Sequence, residues 1–122
     1  MIKIKTNTKI FFATIISKII TLFINKKRVI KRNNIKYDLD LSEGIDLRIF
    51  LNFREERGLF NLKNILPEKG KYNFIDIGAN IGTVSLALSN EFKNSTIYAI
   101  EPTDYAYNKF KKNLNLNPNL NN

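Results

Sequence analysis

The sequence predicts an α/β protein, and three observations carry that expectation. Between Tyr72 and Glu101 the apolar period changes twice. It runs from strand-like Phe74, Ile75 and Ile77 around Asp76, to helical spacing at Ile81, Val84, Leu88 and Phe92, and back to the β-formers Thr96, Ile97, Tyr98 and Ile100. The first change falls at a glycine, Gly78, and the second strand run ends on a carboxylate, Glu101, followed by Pro102. Strand, glycine turn, helix and strand make a βαβ unit with an acid at the tip of its second strand.

Each part of that unit suits a nucleoside ligand. Gly78 and Gly82 lack a Cβ, so the chain can turn sharply and a ligand can come close to the backbone, while the following helix start presents unpaired N–H groups. Asn80 lies between them and tolerates a left-handed conformation better than most residues. Glu101 follows Gly78 by 23 positions, close to the offset of about 20 residues at which an acid meets a ribose in such units. The glycines do not match a dinucleotide fingerprint, whose third glycine would stand at position 83, where this chain has Thr83. A nicotinamide-dependent oxidoreductase is disfavoured on that ground.

The run Phe74-Ile-Asp-Ile-Gly-Ala-Asn-Ile-Gly82, with Tyr98-Ala-Ile-Glu-Pro102 and Asn113-Leu-Asn-Leu-Asn117 after it, resembles the FkbM family of methyltransferases. The similarity extends upstream to Tyr37-Asp-Leu-Asp and Ile45-Asp-Leu-Arg, so it covers about residues 36 to 118. The resemblance implies a Rossmann-like class I methyltransferase fold with a doubly wound sheet, and S-adenosyl-L-methionine as cofactor. It also implies that Asp76, Gly78, Ala79, Asn80 and Gly82 line the methionine and ribose side of that cofactor. Glu101 would then hold the ribose hydroxyls, and Pro102 and Thr103 border the adenine. The implied reaction is O-methylation of a small-molecule hydroxyl, such as that of a carbohydrate. The plain structural alternative is that these residues form only the tight turn and strand end of an α/β domain.

Only two strands of the implied sheet can be read, so the 122-residue chain is expected to be the cofactor-binding front part of an enzyme. Its acceptor site and catalytic base remain unidentified in this sequence. Cysteine and histidine are absent, which removes thiolate and imidazole ligands and the commonest general base. The net charge of +9 is segregated: residues 1–36 hold ten Lys and Arg with no acid, and residues 37–122 hold ten against eleven acids. The basic character therefore belongs to an arm, and no nucleic-acid partner is expected for the nearly neutral remainder.

Three parts follow from this reading: a basic arm at 1–34, a lead-in of β-hairpin and helix at 35–70, and the methyltransferase portion at 71–122. In the arm, Ile10–Ile24 is the most apolar run of the chain, and Thr14, Ser17, Lys18 and Thr21 draw a narrow polar stripe along it. Fifteen residues span about 22 Å, short of a bilayer core of about 30 Å, and no cleavage-site pattern follows. The helix is expected to pack on its own domain or a partner, or to lie on a membrane surface through residues 10–32 of a cytoplasmic protein. A short non-catalytic module docking through this arm is the alternative to an enzyme.

Asn33-Asn34 marks a break. Ile35–Leu41 alternates apolar with polar, and Ile45–Leu51 returns with Ile45, Leu47, Ile49 and Leu51 on one side, which predicts a hairpin across Ser42-Glu-Gly44, with Asp46 and Arg48 on its wet face. Short helices are expected from Asn52 to Leu66. There Glu55 and Glu56 are adjacent and diverge by about 100°, so they do not aim at one ligand. In the resembled family an acid in this segment can approach the cofactor. Thr103 or Asp104 caps a last helix with Ala106, Phe110 and Leu114 inward, and Leu114–Asn122 is expected to be an Asn-rich turn without a terminal element.

Overall fold

A computed structural model describes residues 6–52, 57–67 and 69–120, without the side chains of 6–10, 12, 13, 17 and 57–60. The chain is α/β, with helices and two small sheets, each a pair of strands among the described residues. It divides into two compact units, residues 1–30 with 38–54 and residues 31–37 with 55–122.

Helix α1 (Thr6–Phe23) leads into β1 (Lys27–Arg32), which pairs with β2 (Ile35–Asp40); α1 belongs to the first unit, and the hairpin tip, residues 31–37, to the second. The turn between the strands is Asn33-Asn34, with φ of 47° and 66°. Two consecutive left-handed residues make the turn whose twist matches a two-residue hairpin, and Asn is among the few side chains that accept it. The break foreseen at these asparagines is thus a hairpin tip. The hairpin lies one strand earlier than the sequence predicts.

The expected second strand, Ile45–Leu51, is instead a helix, α2 (Gly44–Phe50). The apolar residues Ile45, Leu47, Ile49 and Leu51 fit a strand, Leu47, Phe50 and Leu51 fit a helix, and two local bonds decide. The Asp46 carboxylate, in the first helical turn, accepts the Asp40 N–H, and Asn52 turns left-handed (φ 58°) to stop the helix, its N–H donating to the Ile49 carbonyl. Asp46 is therefore 1% exposed and no solvated charge. Arg48 is exposed as expected. The hairpin and α2 bury Leu39, Leu41 and Leu47, and Lys26 reaches Asp40 at 3.8 Å.

The second unit holds α3 (Arg57–Ile65), β3 (Asn73–Ile77), α4 (Thr83–Glu91), β4 (Thr96–Ile100) and α5 (Asp104–Asn115), followed by a single 3-10 turn at Pro118–Leu120. Strands β3 and β4 are parallel, with Ile75 beside Tyr98 and Ile77 beside Ile100. This is the βαβ unit expected at Tyr72–Glu101. Phe74 meets Tyr72 and Phe92 in an aromatic cluster with ring centres 5.2–5.7 Å apart. An ion pair between Lys63 and Glu91 joins α3 to α4.

Helix α4 departs from its expected face in one position. Ile81, Leu88 and Phe92 are buried, whereas Val84 is exposed. The helix is enclosed along Ser85–Ser89, and Val84 stands in its first turn, at the open end beside the glycine loop. The opposite face of the sheet carries exposed Ile75, Ile77, Tyr98 and Ile100, with Ile77 80% exposed.

The Asn-rich end is more than a turn. Asn113 is 0% exposed and donates to the Ile81 carbonyl at 2.8 Å. Asn117 accepts the Lys36 N–H and donates to the Lys36 carbonyl, so its amide pairs with β2 as a backbone unit would. Leu120 is buried, and its carbonyl accepts the Ser89 hydroxyl.

Candidate functional site

The site grows from the break between β3 and α4. Three residues with positive φ alternate there: Gly78 (79°), Asn80 (50°) and Gly82 (87°). Such a path is expensive for ordinary side chains, which accounts for the G-x-N-x-G pattern. The Ile100 carbonyl, at the end of β4, accepts both the Gly78 and the Ala79 N–H at 2.8 and 3.0 Å. The Asn80 side chain accepts the Ile81 N–H at 2.9 Å and helps to hold its own turn.

Glu101 completes this loop from the other strand. Its Oε2 accepts the Asn80 N–H at 2.9 Å, and its Oε1 accepts the N–H and the hydroxyl of Thr103 at 2.9 and 2.5 Å. The Thr103 hydroxyl first, then the Thr103 and Asn80 amides, hold the Glu101 carboxyl below its ordinary titration range. The carboxylate is ionised at neutral pH and half-exposed at the strand tip. Thr103 is the residue at the start of α5, yet its hydroxyl makes no cap bond; it turns back to Glu101 instead.

The two glycines serve different ends. A Cβ on Gly78 would meet nothing within 4 Å, so the space over this residue is open. A Cβ on Gly82 would lie 2.1 Å from the Phe110 ring, so the absence of a side chain there lets α5 pack against the start of α4. Ala79 is buried, and only its backbone belongs to the loop. The Asp76 carboxylate accepts the Ser85 hydroxyl at 2.6 Å, which ties the strand end to α4. It does not cap the loop amides in the described contacts. Pro102 and Thr103 are exposed beside Glu101.

The structure therefore gathers Gly78, Asn80, Glu101 and Thr103 at one edge, with Asp76, Ala79 and Gly82 behind them as supports. Glu55 and Glu56 lie outside the described residues. Thr103, through Glu101, and Asn113, through the Ile81 carbonyl, act on this region in ways that their sequence positions only partly signalled, and Asn117 holds Asn113 in turn. Asn113 and Asn117 extend the inward stripe of Ala106 and Phe110 at helical spacing, which is the signal that could have marked them as buried.

A scan against protein-family models, a search of curated proteins and a search of solved structures each returned no match. The functional reading rests on the site itself and on the resemblance of its motifs.

Proposed function

We propose that this chain is the cofactor-binding part of an S-adenosyl-L-methionine-dependent methyltransferase of Rossmann-like, doubly wound type. The observation that carries the reading is the bond between Glu101 and the Asn80 amide, which places an ionised carboxylate beside an open, left-handed glycine turn. The chemistry the cofactor supplies is a methyl group on a sulfonium, transferable by in-line displacement.

The residues fit such a ligand in a particular way. A carboxylate offers about four acceptor positions, and three on Glu101 are taken by Asn80 and Thr103. One position on Oε2 remains for a ribose hydroxyl. The adjoining hydroxyl is accepted by Thr103 Oγ1, whose own proton is committed to Glu101. The pair Glu101 and Thr103 thus reads a vicinal diol, where the sequence alone assigned both hydroxyls to the acid. Gly78 leaves the main chain accessible, and the α4 start presents its amides without a capping side chain. Acceptor alignment and proton removal belong to groups that this chain does not identify, and the inferred acceptor is a small-molecule hydroxyl, such as a carbohydrate's.

Calorimetric titration with S-adenosylhomocysteine and, separately, NAD tests the reading. Saturable binding of the first alone, lost in Glu101→Ala, is expected. Binding of NAD in preference would favour an oxidoreductase.

A further inference from the structure

The helix α1 presents its apolar side outward. Phe11, Ile15, Ile16, Ile19, Leu22 and Phe23 are all exposed, Leu22 by 79% and Phe23 by 83%. At about 100° per residue they fill an arc of about 140°, and from Phe11 to Phe23 the polar positions Thr14, Ser17, Lys18 and Thr21 all fall outside it. Ile20, Thr21 and Ile24 are half-buried on the other side, where the Thr21 hydroxyl donates to the Lys18 carbonyl. A surface helix ordinarily turns its apolar side to the protein; here the apolar arc is exposed together with Thr14 and Lys18 of the polar stripe.

Charge decides what fits this surface. Lys18 is exposed at the margin of the arc, and Lys26 and Lys27 are exposed just beyond the helix. No acid occurs before Asp38. Lys26 has an ion partner in Asp40, but at 3.8 Å and with the lysine largely exposed this is a weak, exchangeable pair. A partner protein would need a groove matching the whole apolar arc and would leave the cations unexplained. An anionic bilayer uses both features: acyl chains take the arc, and headgroup phosphates take the lysines, whose stems can lie along the interface.

We infer that α1 is an interfacial anchor that lies in the plane of an anionic membrane, with Phe11, Ile15, Ile19 and Leu22 inserted and Lys18, Lys26 and Lys27 at the headgroups. No described helix is long and apolar enough to cross a membrane, and a helix lying in the interface needs neither that length nor that uniformity. The inference is independent of the cofactor reading.

The test uses the full chain and vesicles of phosphatidylcholine with or without phosphatidylserine. The sequence has no tryptophan, so Phe23→Trp gives one reporter at an exposed apolar position. The expected result is a blue shift and quenching by brominated acyl chains, only with phosphatidylserine present. Affinity falls about fivefold for each of Lys26 and Lys27 changed to Gln, and falls further with salt. Ile19→Asp abolishes co-sedimentation with vesicles, while circular dichroism stays unchanged because the side chain is exposed. Equal binding to neutral vesicles would overturn the headgroup assignment. Absence of binding, or a self-associating chain made monomeric by Ile19→Asp, would overturn the anchor in favour of a protein interface.

Discussion

Glu101 accepts the backbone N–H of Asn80 at 2.9 Å across 21 residues of sequence. One bond thereby links the end of β4 to the turn after β3, and it sets both the charge and the shape of the candidate site. The carboxylate that would meet a ribose is also the group that holds the left-handed loop. Binding of the proposed ligand would be coupled to loop order through it.

The first consequence is a dependence on pH. Hydrogen bonds hold the folded-state titration of Glu101 below its ordinary value of 4.5. Their contribution is present above that ordinary value and is lost as pH falls through the lowered folded value. Thr103→Val removes the largest cause and moves the loss toward the ordinary glutamate range, whereas Thr103→Ser leaves it in place. Titration of the Glu101 carboxyl by NMR checks this without any ligand, and the same pair of variants should separate in affinity for S-adenosylhomocysteine.

The glycines provide a second prediction. Alanine at Gly78 meets open space and carries only the left-handed backbone cost of about 1–2 kcal/mol. Alanine at Gly82 bears that cost and also the collision with Phe110, for which overpacking adds about 1–3 kcal/mol. Urea unfolding should therefore rank Gly82→Ala as the less stable variant. Equal losses would mean that Phe110 can move away without penalty.

A third prediction concerns the buried amides. Asn117→Ala removes the partner of both backbone groups of Lys36 and of the buried Asn113 carbonyl, and an unmade bond at a buried polar group costs about 1–3 kcal/mol. Asn115, between the two buried asparagines, is exposed, and its replacement by Ala should stay within about 0.5 kcal/mol. Chemical denaturation of the two variants side by side distinguishes them.

The exposed sheet face leads to a fourth. Parallel strands rarely leave an apolar face in water, and Ile75, Ile77, Tyr98 and Ile100 do so here. The chain should self-associate with rising concentration, and Ile77→Thr with Tyr98→Thr should reduce it. Sedimentation of an unmodified monomer at high concentration would argue against this.

The βαβ unit was legible in the sequence because three signals agreed: a glycine break, a change of period on each side of it, and an acid ending the second strand. Ile45–Leu51 was not, because its apolar residues satisfy either period, and the choice was made by Asp46 bonding to Asp40 and by the left-handed Asn52. The roles of Thr103 and Gly82 depend on groups brought together by folding, Glu101 and Phe110 respectively. The sequence suggested an Asn-rich turn without a terminal element, where tertiary packing instead uses the Asn117 amide as a substitute for backbone pairing.

The most direct measurement is calorimetric titration of the folded chain with S-adenosylhomocysteine, in the native sequence and in Glu101→Ala. Saturable binding that disappears in the variant, with no binding of NAD, is the predicted result. Undiminished binding in Glu101→Ala, or no binding by a chain that circular dichroism shows to be folded, would contradict the assignment.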